Sequence, residues 1–201
     1  MPTTIQQLET TFDLKYIKSI KWKASFKESS NGIYIISINQ NKDYLPNQNN
    51  SVSFNEKQLN IWFENAPHLL LYGKKAITED IKKQLEAFWL ADESILYIGK
   101  AEKQSLSDRI SQFYNHKVGK KGPHKGGYWL KLLNNLDELY IHLYSTNDSH
   151  IIEEKLLTHF IENVSELSKE KLIEKKLFLP FANLQLSSGV IKCHGLKYHC
   201  Q

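Results

Sequence analysis

Four kinds of side chain in this sequence could do chemistry together. Tyr34 lies in NGIYIISIN (31–39) and Tyr97 in SILYIGKA (94–101), each inside a run that reads as a β-strand. Arg109 follows on a stretch of helical spacing, and the neighbours Glu153 and Glu154 lie on another. Two phenols, a guanidinium and a carboxylate are the parts that a metal-dependent phosphodiesterase needs. The elements that carry these side chains must therefore bring together positions more than one hundred residues apart.

Hydrophobic periodicity predicts those elements. Thr4 and Gln7 read as a capping box, with Ile5, Leu8 and Phe12 at helical spacing behind it. Residues 14–27 are ambiguous. Residues 32–39 read as a strand entered at Gly32, and 95–99 as a second. In 139–144, Leu139, Ile141 and Leu143 alternate with Tyr140, His142 and Tyr144, which predicts a third. Helices are expected from Ser53 to about Glu64, Thr78 to about Leu90, 104–115, 149–163 and 167–176.

Composition bounds the remaining choices. A chain of 201 residues with 41% hydrophobic and 24% charged residues suits one globular domain. No apolar run approaches the ~20 residues that span a bilayer, and the polar N-terminus does not read as a signal peptide. Two cysteines, Cys193 and Cys200, suit a reducing cytoplasm. Between Asp108 and Asp137 there is no carboxylate, while Arg109, Lys117, Lys120, Lys121, Lys125 and Lys131 fall there beside His116 and His124. Those six cations exceed the chain's whole net charge of +4. Within them, HKVGKKGPHKGG (116–127) reads as a glycine-rich loop, flanked by Tyr114, Tyr128 and Trp129. Such a loop suits a nucleic-acid backbone, with a salt slope of at most about −5 if all six cations meet phosphates.

The order of strand with Gly32-Ile33-Tyr34, strand with Tyr97-Ile98-Gly99, helix with arginine, third strand, helix with glutamate and late asparagine resembles the GIY-YIG nucleases. A second candidate, LYGKKA (71–76), lacks the isoleucine and precedes an acidic helix start, so it is set aside. The resemblance implies an α+β fold, a small central three-stranded antiparallel sheet flanked by helices. A core of 29–39 and 94–185 would carry an N-terminal extension (1–28), an inserted helical element (40–93) and a C-terminal tail (186–201).

The resemblance also implies roles. Tyr34 and Tyr97 stand side by side at the scissile phosphate, one of them orienting or deprotonating the attacking water. A phenol of ordinary pKa, about 10, needs a nearby cation for that role. Arg109 clamps phosphoryl oxygens, Lys100 supplies a second cation, and Asn183 braces the site. The family spacing selects Glu153, three residues before Leu156, as the ligand of Mg²⁺, with Mn²⁺ able to replace it. Glu154 is rotated by about 100° on the helix and faces elsewhere.

The chain departs from the family at Phe113, where a histidine or tyrosine is usual; Tyr114 or His116 would have to substitute. Lys117, Lys120, Lys121, His124 and Lys125 are the expected DNA contacts. The tail pairs Cys193-His194 and His199-Cys200 suit a tetrahedral zinc site poorly, so a DNA-contacting or disordered tail is expected. The implied activity is hydrolysis of double-stranded DNA by a stand-alone restriction-type endonuclease, as a homodimer on palindromic sites. A structure-specific repair or mobile-element nuclease, and a non-catalytic nucleic-acid-binding protein on the same fold, are the alternatives.

Overall fold

The computed structural model describes residues 1–47, 50–120, 127–172 and 177–198. Its main sheet has four antiparallel strands in the order β1-β6-β2-β5, formed by Lys15–Lys21, Tyr140–Ser145, Gly32–Ser37 and Ile95–Ala101 respectively. The fold is thus α+β as expected, but the sheet has four strands instead of three. The extra strand, β1, comes from the segment that periodicity left ambiguous. As KYIKSIK on an edge, it is nowhere fully buried, so it never shows a clean alternation. A register shift between Tyr16 and Lys18 blurs the pattern further.

Strand β2 lies at the centre and is buried along its whole length. Its pairing with β6 is unbroken from Gly32↔Ser145 to Ser37↔Tyr140. Gly32 is required there, because a β-carbon would overlap the carbonyl oxygen of Tyr144. On β6, the buried His142 stitches three strands together. Its Nδ1 lies 2.7 Å from Ser19 Oγ on β1 and its Nε2 2.8 Å from Ser37 Oγ on β2. The Ser37 hydroxyl donates to the Asn39 carbonyl (2.7 Å), so Nε2–H must donate to Ser37 and Nδ1 must accept from Ser19. Burial holds this imidazole neutral, its pKa pushed down to about 4.

Six α-helices surround the sheet among the described residues: α1 (Ile5–Thr11), α2 (Glu56–Asn65), α3 (Thr78–Ala87), α4 (Leu106–Asn115), α5 (Ser149–Asn163) and α6 (Glu166–Lys171). The Thr4–Gln7 capping box at α1 is present in both directions, at 3.1 and 2.9 Å. Helix α2 starts two residues later than the Ser53 signal suggested, because Asn55 caps it by accepting from the Gln58 N–H. Helix α3 has no side-chain cap at Ile77 and stops at Ala87. No helix among the described residues is long and apolar enough to cross a membrane.

The inserted element is not wholly helical. It contains β3 (Leu69–Leu71) and β4 (Lys74–Lys75), which build a second antiparallel sheet, β4-β3-β7, with Leu196–Tyr198 of the tail as β7. The LYGKKA string is its hairpin: Tyr72 and Gly73 both take positive φ (49° and 81°), the requirement of a tight two-residue turn. The described part of the tail carries secondary structure and a buried lysine, against the expectation of a disordered tail. Lys192 is 2% exposed, and its ammonium donates to the carbonyls of Pro180 (2.9 Å) and Phe181 (3.0 Å) beneath the rings of Phe88 and Trp129. His194 packs edge-on against Trp129 and its Nδ1 accepts from the Leu196 N–H, with burial pushing its pKa down to about 4. His199 and Cys200 lie outside the described residues.

Two outcomes test this account. Gly32→Ala is expected to cost about 3 kcal/mol in denaturant unfolding, because the clash is with backbone and cannot relax by a rotamer change. His142 has a folded pKa below its unfolded value, so the unfolded state takes up the proton first. Stability is then lost as pH falls from about 6.5 towards 4. Urea midpoints measured across that window should flatten in His142→Gln.

Candidate active site

Antiparallel register explains how the two tyrosines meet. Tyr34 on β2 stands opposite Gly99 on β5, and Tyr97 stands opposite Ile36. Both phenols therefore project from the same face on a diagonal, with ring centroids 5.8 Å apart. Gly99 makes the diagonal possible. A β-carbon there would lie 2.5 Å from Tyr34 Cζ, 2.5 Å from Tyr97 Cε1 and 2.7 Å from the Tyr34 hydroxyl. The glycine of the second tripeptide is thus the socket of the first tripeptide's tyrosine.

Helix α4 covers this face with Leu106, Ile110 and Phe113, all fully buried. Arg109 is three residues from Leu106 and four from Phe113, so it shares their stripe and is turned towards the sheet. Ser105 caps the helix by accepting from the Asp108 N–H, and Asp108 in the first turn complements the dipole. Phe113 wedges between Trp22 (centroids 5.4 Å apart) and Tyr97 (5.8 Å). A hydrocarbon ring occupies the position where a titratable side chain was sought.

Neither candidate substitute is brought to the phenol pair. Tyr114 packs on Trp22 with centroids 5.0 Å apart, and burial lifts its pKa to about 12. Trp22 belongs to the N-terminal segment, which could not be placed here by spacing alone. His116 is the C-cap of α4, about 10 Å along the axis from Arg109. Burial and the nearby Lys131 lower its pKa.

The basic stretch is also redistributed. Lys131 is buried, and its ammonium donates to the carbonyls of Tyr114 (3.1 Å) and His116, closing the end of α4. Burial pushes its pKa down to about 8. It is a helix cap and not a phosphate contact. Tyr128 and Trp129 are core residues in the 3₁₀ turn Gly127–Leu132, not a stacking surface. Lys117 and Lys120 are exposed, whereas Lys121, His124 and Lys125 lie outside the described residues.

Helix α5 brings the carboxylates. Its buried residues Ser149, Leu156, Leu157 and Phe160 define a stripe that runs through Glu153, three or four residues from three of them. Ile152 and His159 lie on its flank, where His159 meets Phe12 of the N-terminal segment edge-on. Glu153 Oε2 pairs with Lys100 Nζ at 3.0 Å and accepts from Ser187 Oγ at 3.0 Å. Glu154 lies beside it after all: its Oε2 accepts from the Ser187 backbone N–H at 2.8 Å. Lys100 Nζ also reaches His150 Nδ1 (2.5 Å) and Ser187 Oγ (3.3 Å). Ser187 and His150 were not foreseen, and nothing in their local sequence marks them.

Asn183 works through the backbone. Its amide donates to the Ile98 carbonyl (2.8 Å) and its oxygen accepts from the Ile98 N–H (2.9 Å), while the Ala182 N–H bonds the Leu96 carbonyl (2.9 Å). The turn 180–183 substitutes for a fifth strand along the outer edge of β5, on either side of Tyr97. Asn183 is therefore a positioning residue rather than a group that meets substrate.

Electrostatics sets the condition for chemistry. Desolvation raises the pKa of both Tyr34 and Tyr97, more strongly for Tyr97, and the Glu153 charge raises both further. Arg109 opposes this at both phenols. The Tyr34 hydroxyl interacts with both the Tyr97 phenol and Arg109, so two phenols and a guanidinium form one polar cluster, and Arg109 Nε is buried without a partner among the described residues. A buried, unpaired guanidinium N–H beside two phenols is what an oxyanion would satisfy.

The metal that the resemblance implies can be tested against the same residues. No group of three or more His, Cys, Asp or Glu side chains gathers to hold an ion among the described residues. Glu153 keeps Oε1 free of hydrogen bonds among them, and one carboxylate oxygen completed by water suits Mg²⁺. The residues present fit a hard, largely hydrated cation and do not fit a closed structural site. No family model, curated protein or solved structure matches the chain.

Removing the Tyr34 hydroxyl measures its interactions. Tyr34→Phe is expected to cost about 1 kcal/mol of unfolding free energy, because the phenol loses its contacts with Tyr97 and Arg109. An unchanged thermal or denaturant melt would show that those contacts contribute nothing to stability.

Proposed function

We propose that this chain is a divalent-metal-dependent DNA endonuclease on a GIY-YIG-type fold, hydrolysing phosphodiester bonds of double-stranded DNA. The observation that carries the reading is the cluster of Tyr34, Tyr97 and Arg109, with Arg109 Nε buried and unpaired among the described residues, within the field of Glu153. In this reading Arg109 donates to the phosphoryl oxygens and offsets the charge that builds on them in the transition state. Tyr34 and Tyr97 orient the attacking water. Their raised pKa values make them poor bases by themselves, so their phenols act as hydrogen-bonding groups unless cations lower them. Glu153 would hold the ion. Mg²⁺ or Mn²⁺ bound there supplies polarisation of the phosphate and stabilisation of the leaving oxygen.

Exposed Lys117 and Lys120, with Lys121, His124 and Lys125 beyond the described residues, contact the DNA backbone in this proposal. The form of the activity in this reading is a restriction-type enzyme acting as a homodimer in the cytoplasm, with the inserted and terminal segments as its own embellishments. A non-catalytic DNA-binding protein is the second reading, favoured by the apolar Phe113 beside Tyr97.

Cleavage of supercoiled plasmid with Mg²⁺ tests both. Wild type is expected to give discrete fragments, Glu153→Ala to lose on the order of 10³-fold in rate, and Glu154→Ala to stay within about tenfold. Duplex binding without cleavage under any divalent cation would establish the second reading instead.

A further inference from the structure

The described tail forms a hairpin that reaches back to the metal carboxylate. Lys192 N–H bonds the Leu184 carbonyl (2.7 Å) and Leu186 N–H the Val190 carbonyl (2.9 Å), with Gln185 bridging Ile191 and Gly189 turning at φ 92°. Its root is the buried Lys192, clamped on the Pro180 and Phe181 carbonyls. Its tip is Ser187, an exposed residue that bonds two consecutive glutamates at once, Glu153 through the hydroxyl and Glu154 through the backbone N–H.

That geometry leaves Glu153 half occupied. Oε2 takes both the Ser187 hydroxyl and the Lys100 ammonium, each at 3.0 Å, and Oε1 takes nothing among the described residues. The two partners act oppositely on an incoming cation. Ser187 is neutral; by fixing the carboxylate rotamer it removes freedom that an ion would otherwise have to freeze. Lys100 carries a unit charge within a few ångströms of Oε1, and like charge at that range in a partly buried site repels a multivalent ion strongly.

We infer that Ser187 is a positioning residue for the metal carboxylate, while Lys100 is the resident counter-cation that sets how weakly the empty site binds metal. This rests on the metal-dependent reading above. Ser187 pre-sets Glu153 with Oε1 open, and Lys100 neutralises the carboxylate until an ion arrives. Glu154, which accepts from the Ser187 backbone N–H, anchors the tip.

Terbium, a hard cation that takes oxygen ligands and luminesces when nearby tyrosines are excited, measures this without catalysis. Titrations of wild type, Ser187→Ala, Ser187→Thr, Lys100→Met and Glu153→Gln give affinities directly, and thermal melts check that each variant folds. Ser187→Ala is expected to weaken binding about fivefold, Ser187→Thr to restore it, and Lys100→Met to tighten it about tenfold. Shifts of the same sign in Ser187→Ala and Lys100→Met, or none in either while Glu153→Gln abolishes the signal, would overturn this inference and leave the metal site standing. No Glu153-dependent binding in any variant would overturn both.

Discussion

The site depends on a missing β-carbon. At Gly99 the sheet leaves the volume into which the Tyr34 ring fits, and only then do two phenols stand on the same face of adjacent strands. Gly32 does the equivalent work on the other side of β2, letting its backbone close on β6. Both glycines serve close approach of other atoms, and neither serves a turn. A central strand held this tightly on both edges is rigid, and rigidity is what lets side chains of distant origin meet at fixed distances.

Rigidity by itself would leave the phenols inert. Burial raises their pKa values, and the Glu153 carboxylate raises them again, so the fold works against forming a phenolate. Arg109 on α4 opposes this at both phenols, and Lys100 on β5 pairs with Glu153. Arg109 Nε, buried and unpaired among the described residues, lies where these fields overlap. Such groups are costly in a resting protein and are tolerated where a ligand completes them.

The periphery does more than its sequence suggests. The N-terminal segment contributes β1 to the main sheet and Trp22, which holds Phe113 against Tyr97 and draws Tyr114 away. The tail contributes β7, the buried Lys192 and the Ser187 tip. A chain of contacts thus runs from Lys192 through Pro180 and Phe181 to Asn183, and from Asn183 to the backbone beside Tyr97. Three lysines that look alike in sequence take different roles: Lys192 as a buried clamp, Lys131 as a helix cap, Lys100 as a counter-ion.

From sequence alone, the elements bearing Tyr34, Tyr97, Arg109 and Glu153 were legible, because β-branched runs and helical spacing are local and repeat over several residues. The helix that carries Glu153 and Glu154 was legible, but not which neighbours they meet, and both glutamates reach Ser187. What tertiary structure decided was the pairing of polar groups far apart in the chain: Ser19 with His142, Lys131 with α4, Ser187 with both glutamates. A lone serine or lysine carries no periodic signal, and its role follows from which unpaired carbonyl or carboxylate it meets after the strands have closed. For the same reason β1 was invisible, because an edge strand acquires its alternation only from the neighbour that covers one of its faces.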